Sequence, residues 1–302
     1  MILYWDSIFE KAGLDMKILK ILVLIFMIIT TSSQAATLSR VRVSIEVGIL
    51  ENYKKWIDTA GGDCTKIETY KSIYATRAAV EMILLCQALR TGGYHGPIEL
   101  VAMPNYSREV REAEQGHVDM PSESLWSIDI QPNEFYVTPP VIKQGDFEKG
   151  LYTATGKNIT VKHLSDLKKY TAAMSSLWVV DWKTLKGMDL TVENVSTEDG
   201  IFDMVTSGRA DFTILEFTTL PGMQQSFRGK TLFPVPGVKI SLDGERSFVV
   251  SKQSPHGKMV FLVFSAGLKE MVKSGTIHRA WVESGFFNQN VESWIDLRQC
   301  CK

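Results

Sequence analysis

Two segments of this 302-residue chain follow one plan. Residues 111–120 read REAEQGHVDM and residues 203–212 read DMVTSGRADF. Each has the look of a helix end, then a glycine (Gly116, Gly208), then a short strand carrying an aspartate (Asp119, Asp211). Glycine tolerates the left-handed conformation that ends a helix and turns the chain into the next strand. The two copies lie too far apart for a solenoid repeat. They predict two separate α/β lobes, each with its own helix-to-strand exit.

The flanking patterns carry the same expectation. Residues 74–89 form an apolar helix interspersed with Arg77, Glu81 and Gln87 and ended by Gly92-Gly93. A strand is expected at 97–103, a charged helix at 106–115 and the next strand at 117–120. The second lobe repeats the order: helix 164–170, buried strand 171–174, a helix from 180, strand 189–195, helix 198–207 and strand 210–215. Such alternation predicts a mainly parallel sheet in each lobe. After Pro234 and Pro236 the pattern changes to a strand at 246–251 and helices at 257–274 and 277–284, separated by Gly275 and stopped by Gly285. The expected organisation is a first lobe over 36–150, a second over 151–245, and a return to the first over 246–302. Segments near 151–155 and 248–251 are the expected crossings.

Residues 16–36 have the make-up of an export signal. Lys17 and Lys20 precede the apolar run ILVLIFMII, and Ser33-Gln34-Ala35 offers small residues where a signal peptidase cuts, so cleavage is expected between Ala35 and Ala36. The run is about half of the roughly 20 apolar residues a bilayer span requires. Asp6, Glu10 and Asp15 put negative charge ahead of it. Met16 is therefore the expected start, with residues 1–15 an upstream artefact and 1–35 the signal unit. The expected destination is the periplasm.

A formal net charge of −1 offers no argument for nucleic acid or for an acidic membrane surface. The four cysteines, Cys64, Cys86, Cys300 and Cys301, would meet an oxidising compartment. Their spacing is not that of a zinc site, and four cysteines allow three pairings, with Cys64–Cys86 preferred here.

Residues 161–217 carry the strongest resemblance to a known family: LSDLKK on a helix, a strand, Ser175-Ser176, then VSTEDGIFDMVTSGRADFTILEF. FVVSKQSP (248–255) and AGLKEMVKSGTIHRAWVESGF (266–286) add to it. Together these stretches resemble type II periplasmic binding proteins, in particular the family 3 solute-binding proteins of polar amino-acid type that serve ABC transporters. The resemblance implies an α/β, bilobal fold with two mainly parallel-sheet lobes joined by two hinge strands. It also implies a monomer that captures a small polar solute by hinge closure, with an ABC permease or a membrane sensor as partner. The amino-acid binders of that family carry a Thr-x-x-Arg segment after the first lobe's G-x-x-D strand. Here the corresponding residues are Pro121-Ser122-Glu123-Ser124-Leu125-Trp126, without the arginine.

In such a fold the ligand lies between the lobes, at the carboxyl ends of strands, where loops and helix N-termini converge. Ser175 and Ser176 follow a strand and precede a helix, with hydroxyls and N–H groups suited to an anion. Trp178 lies just beyond, placed to stack on a ligand or to fill the core. Glu216 ends a strand where the family places an acid for the ligand's ammonium group. Ser122, Glu123 and Trp126 hold the matching position in the first lobe. Tyr74 and Arg77 sit near the start of the long helix, with Arg77 the candidate for an anion contact or a surface salt bridge.

Enzymatic readings have less to stand on. The five histidines are scattered, no metal-ligand spacing appears, and neither a G-x-S-x-G elbow nor a phosphate loop is present. No metal and no cofactor are expected. The alternative from another class is a lyase or dehydratase on the same scaffold, with Glu123 opposite Glu216 as its acid–base pair.

Overall fold

A computed structural model of the chain describes residues 38–299. The expected signal segment 1–35, its cleavage site at Ala35 and Ala36, and Cys300 and Cys301 lie outside the described residues.

The first lobe is organised by a parallel sheet. Strand β1 (Val41–Glu46) leads into helix α1 (Val47–Asp58), and helix α2 (Arg77–Thr91) precedes β2 (Ile98–Met103). Helix α3 (Tyr106–Glu114) then delivers the chain to β3 (Met120–Pro121). β1 lies between β2 and β3 and pairs with both in parallel. α2 is buried almost all round, from Ala78 to Leu89. Two further short strands follow, β4 (Leu125–Trp126) and β5 (Phe135–Val137).

In the second lobe β6 (Glu148–Ala154) is followed by α4 (Leu164–Leu167), β7 (Thr171–Met174), α5 (Val179–Gly187), β8 (Thr191–Asn194) and α6 (Glu198–Thr206). β9 (Thr213–Glu216), β10 (Gln225–Phe227) and β11 (Lys230–Ser241) complete it. β7 and β8 pair in parallel, and a parallel bridge joins Ala172 to Phe212. The expected parallel arrangement is accompanied by an antiparallel sheet in which β11 and β9 flank β6 and β10 flanks β11.

The twin glycine–aspartate motifs adopt one geometry. Gly116 and Gly208 have φ of 73° and 75°, in the left-handed region. Asp119 donates its N–H to the Arg42 carbonyl at 2.8 Å and accepts the Arg42 N–H on its carboxylate at 2.6 Å. Asp211 does the same with Thr171, at 2.7 Å in each direction. These side-chain clasps occupy positions where ladder pairing was expected. The strands expected at 117–120 and 210–215 are therefore shorter, beginning at Met120 and Thr213.

The expected crossing segments lie inside sheets. Leu151–Ala154 belongs to β6, paired with β9 and β11, and residues 249–251 form β13 (Val249–Ser251), paired with β5. β12 (Arg246–Ser247) pairs with β4. The segments that connect the lobes run side by side at 142–147 and 242–246. There the Leu242 N–H donates to the Phe147 carbonyl, and the Arg246 N–H donates to that of Ile142.

Helices α7 (Gly257–Lys273) and α8 (Thr276–Ser284) return to the first lobe and pack on α2. α7 approaches α2 so closely that a Cβ at Gly267 would overlap the Ala88 carbonyl oxygen. Beyond Ser284 the chain leaves α2, and β14 (Ile295–Asp296) pairs in parallel with Val238 and Lys239 of β11. The reason is an open edge: β10 covers β11 only from Lys230 to Leu232, and unpaired strand edges recruit whatever can complete them. Asp296 secures the tail by accepting the Ser241 hydroxyl at 2.6 Å, and Trp294 meets Phe217 edge-on at 5.6 Å. The segment expected as a simple return to the first lobe thus ends as a strap onto the second lobe's sheet.

Candidate functional site

Thr76 caps α2 by accepting the Ala79 N–H on its hydroxyl at 3.3 Å, so the helix starts at Arg77. An arginine in the first turn opposes the positive end of the helix dipole and calls for anions around it. Three carboxylates supply them. Nη1 of Arg77 donates to Glu81 at 2.6 Å, Nη2 to Glu123 at 2.7 Å and Nε to Glu216 at 3.0 Å. Glu81 lies one helical turn along α2, Glu123 lies between β3 and β4, and Glu216 is the last residue of β9. The bond from Arg77 to Glu216 therefore joins the first lobe to the second.

Further polar groups brace this cluster. Glu81 is fully buried and accepts the Ser124 N–H at 3.0 Å and hydroxyl at 2.6 Å. Arg246 of β12 donates to Glu123 at 3.1 Å, to the Ser124 hydroxyl at 3.1 Å and to the Ser124 carbonyl. Lys149 of β6 is bound to Asp181 of α5 at 2.5 Å. Beneath the charges lies an aromatic floor. Phe147 sits 4.8 Å from both Trp126 and Phe286, with the Arg77 guanidinium 5.8 Å and the Lys149 ammonium 5.5 Å from its centroid. Cations over ring faces gain electrostatic attraction in such a dry setting.

The surroundings set the protonation of these groups. Burial works against the charge on Arg77, but Glu81, Glu216 and Glu123 hold the guanidinium well above its ordinary range. Burial also pushes Glu216 up, yet Arg77 and then Lys149 outweigh it and leave its carboxyl below the usual value. Glu81 is pushed up by burial, which Arg77 and Arg246 offset only in part. At the end of β1, Glu46 is pushed up to about 7 by burial and by the charges of Glu123 and Glu198. Glu109 is raised well above the ordinary carboxylate range, by burial first and Glu123 second.

The structure brings Arg77, Glu123 and Glu216 into one cluster. Ser122 is buried beside it and donates both N–H and hydroxyl to Glu109, at 2.7 and 2.8 Å. Trp126 is buried in the floor, with Arg246 5.0 Å from its ring centroid. Trp178 is half-buried, 5.9 Å from the Lys149 ammonium. At the turn of Ser175 and Ser176 the Ser176 N–H donates to Asn194 at 2.9 Å, and the Ser175 hydroxyl accepts the Leu177 N–H at 3.2 Å. Tyr74 is half-buried against the first lobe's core. The pair nominated for an enzymatic reading, Glu123 and Glu216, shares Arg77. Among the described residues no group of three His, Cys, Asp or Glu is arranged to hold a metal ion. Cys64 and Cys86 are joined in a disulfide, with Cα atoms 6.2 Å apart.

Sequence reasoning passed over Glu81, Ser124, Arg246, Lys149 and Glu46. The Arg77–Glu81 pair carried a signal, since opposite charges four apart on an otherwise apolar helix face each other. Arg246 and Lys149 carried none, because their partners are far away in sequence.

No family model matches the chain, and no curated protein matches it in sequence. Solved structures do match. The amino-acid ABC transporter substrate-binding protein AbpA from Streptococcus pneumoniae, bound to L-arginine, has a TM-score of 0.52 at 12% identity, over 80% of this chain and 92% of its own. The probable amino-acid ABC transporter extracellular-binding protein ytmK from Bacillus subtilis has a TM-score of 0.51 at 15% identity, over 80% and 96%. The periplasmic VFT2 domain of Bordetella pertussis BvgS has a TM-score of 0.50 at 13% identity, over 81% and 94%. At these identities the likeness is one of fold: the chain has the bilobal architecture of type II periplasmic binding proteins.

Proposed function

We propose that the chain is an exported solute-binding protein that captures a small, polar, amine-bearing solute between its lobes. It would work in the cell envelope and present the solute to an ABC permease or a membrane sensor. The observation that carries this reading is Glu216. It stands ionised at the carboxyl end of β9 and already holds a guanidinium that comes from the opposite lobe. A carboxylate that satisfies one cationic donor suits another of the same chemistry, because charge-assisted hydrogen bonds are among the stronger ones. The segment Pro121–Trp126 carries no arginine for an α-carboxylate, and Arg77 and Arg246 already donate to the protein's own groups, Arg77 to acids and Arg246 to Glu123 and Ser124. An amine therefore matters more to recognition than a carboxylate. Thermal-shift measurements against polyamines, basic and neutral amino acids, and small carboxylates test this. Stabilisation by amine-bearing compounds that is lost in Glu216→Gln is expected; stabilisation by carboxylates alone would overturn the reading.

A further inference from the structure

We infer that Arg77 is a built-in occupant of the cleft: with no solute present it holds the lobes together by binding Glu216 across the gap. The geometry supports this in three ways. First, the bond at 3.0 Å links the first turn of a first-lobe helix to the end of a second-lobe strand, so separating those two elements stretches it. Second, the Arg77 side chain is 11% exposed and that of Glu216 25%, which partly shields the contact from water. Third, Arg77 loses little on release. It keeps Glu81 and Glu123, both of its own lobe, in either state.

That third point makes the contact a switch and not a weld. Opening breaks one charge-assisted hydrogen bond and leaves no stranded cation, while Glu216 gains water in exchange. Closure of the empty protein is thus favoured by about tenfold or somewhat more, the equilibrium worth of one such bond. On the reading proposed above, an amine-bearing solute exchanges with Arg77 at Glu216; that step rests on that reading, whereas the clasp itself does not.

Small-angle X-ray scattering of the solute-free protein, stripped by unfolding and refolding, tests the clasp without any ligand. The wild type should scatter as the closed structure. Glu216→Ala and the gentler Glu216→Gln should both shift the radius of gyration upward. Asp189→Asn, which removes the charge of an exposed pair with Lys168 inside the second lobe, should leave it unchanged. An open wild type, or Glu216 variants that scatter as the wild type does, would overturn the inference. Failure of the solute screen would leave it standing.

Discussion

Asp119 and Asp211 make the same pair of bonds in different lobes. Each exchanges hydrogen bonds with a residue at the start of its lobe's first parallel strand, Arg42 in one case and Thr171 in the other. Each also uses its second carboxylate oxygen to fasten a distant segment: Asp119 takes the Ser254 hydroxyl, and Asp211 takes Lys157 at 2.6 Å. Asp211→Asn keeps the shape and removes the charge. It is expected to cost about 1–3 kcal/mol, the worth of hydrogen bonds to a charged group, in urea unfolding.

Glu123 is shared by the half-buried Arg77 and the buried Arg246, with its own side chain 5% exposed. Glu123→Gln takes the paired carboxylate from buried Arg246 in a site that water scarcely reaches, while Arg77 keeps Glu81 and Glu216. Removing one partner of a buried pair costs about 3–5 kcal/mol, so a large drop in the denaturation midpoint is expected. A midpoint within error of the wild type would mean that the cluster is far wetter than its burial indicates.

Glu46 sets a slope of stability with pH. Its carboxyl rises from 4.5 to about 7 in the folded protein, pushed by burial, Glu123 and Glu198, with Glu109 receiving the Glu46 N–H at 3.1 Å. Between those two pH values the folded state holds a proton that the unfolded state has released. Its contribution therefore falls as pH rises from 4.5 to about 7 and is level above. The difference between wild type and Glu46→Gln in denaturant unfolding at pH 5 and pH 8 should show this slope.

The contact between α2 and α7 leaves no room for side chains. Gly267→Ala would drive a methyl group into the Ala88 carbonyl and force two packed helices apart. Overpacking of that kind costs about 1–3 kcal/mol, here at the upper end because backbone and not a flexible side chain must yield. Circular dichroism melts would register it. Gly48, with nothing near its Cβ position, is the matching control.

The disulfide between Cys64 and Cys86 ties the loop before α2 to the middle of that helix across 22 positions. Closing a loop of that size contributes about 3 kcal/mol through the unfolded chain. A reducing agent should lower the denaturation midpoint of the wild type. It should not lower that of a Cys64→Ala, Cys86→Ala double variant.

Much of the fold was legible because it is local. Glycines at 116, 208, 275 and 285 all take positive φ where helices were expected to end or begin. The strand at 171–174 and the helix starting at 198 stand where the pattern put them. The site was legible only in part. Arg77, Glu123 and Glu216 stood out as charges at strand or helix ends, but their meeting depends on how two lobes face each other, which no periodicity encodes. Arg246 and Lys149 stayed hidden for the same reason. The pairing of the tail with β11 was not legible, because the edge it completes is defined by where β10 stops.

That tail bears on how the molecule moves. Two connecting segments between bodies permit both bending and twisting. The strap anchored by Asp296 on Ser241 lies next to the second of them, and the Leu297 N–H fastens it again to the Lys239 carbonyl at 3.0 Å. A third attachment beside the other two adds a constraint on how one lobe can turn against the other.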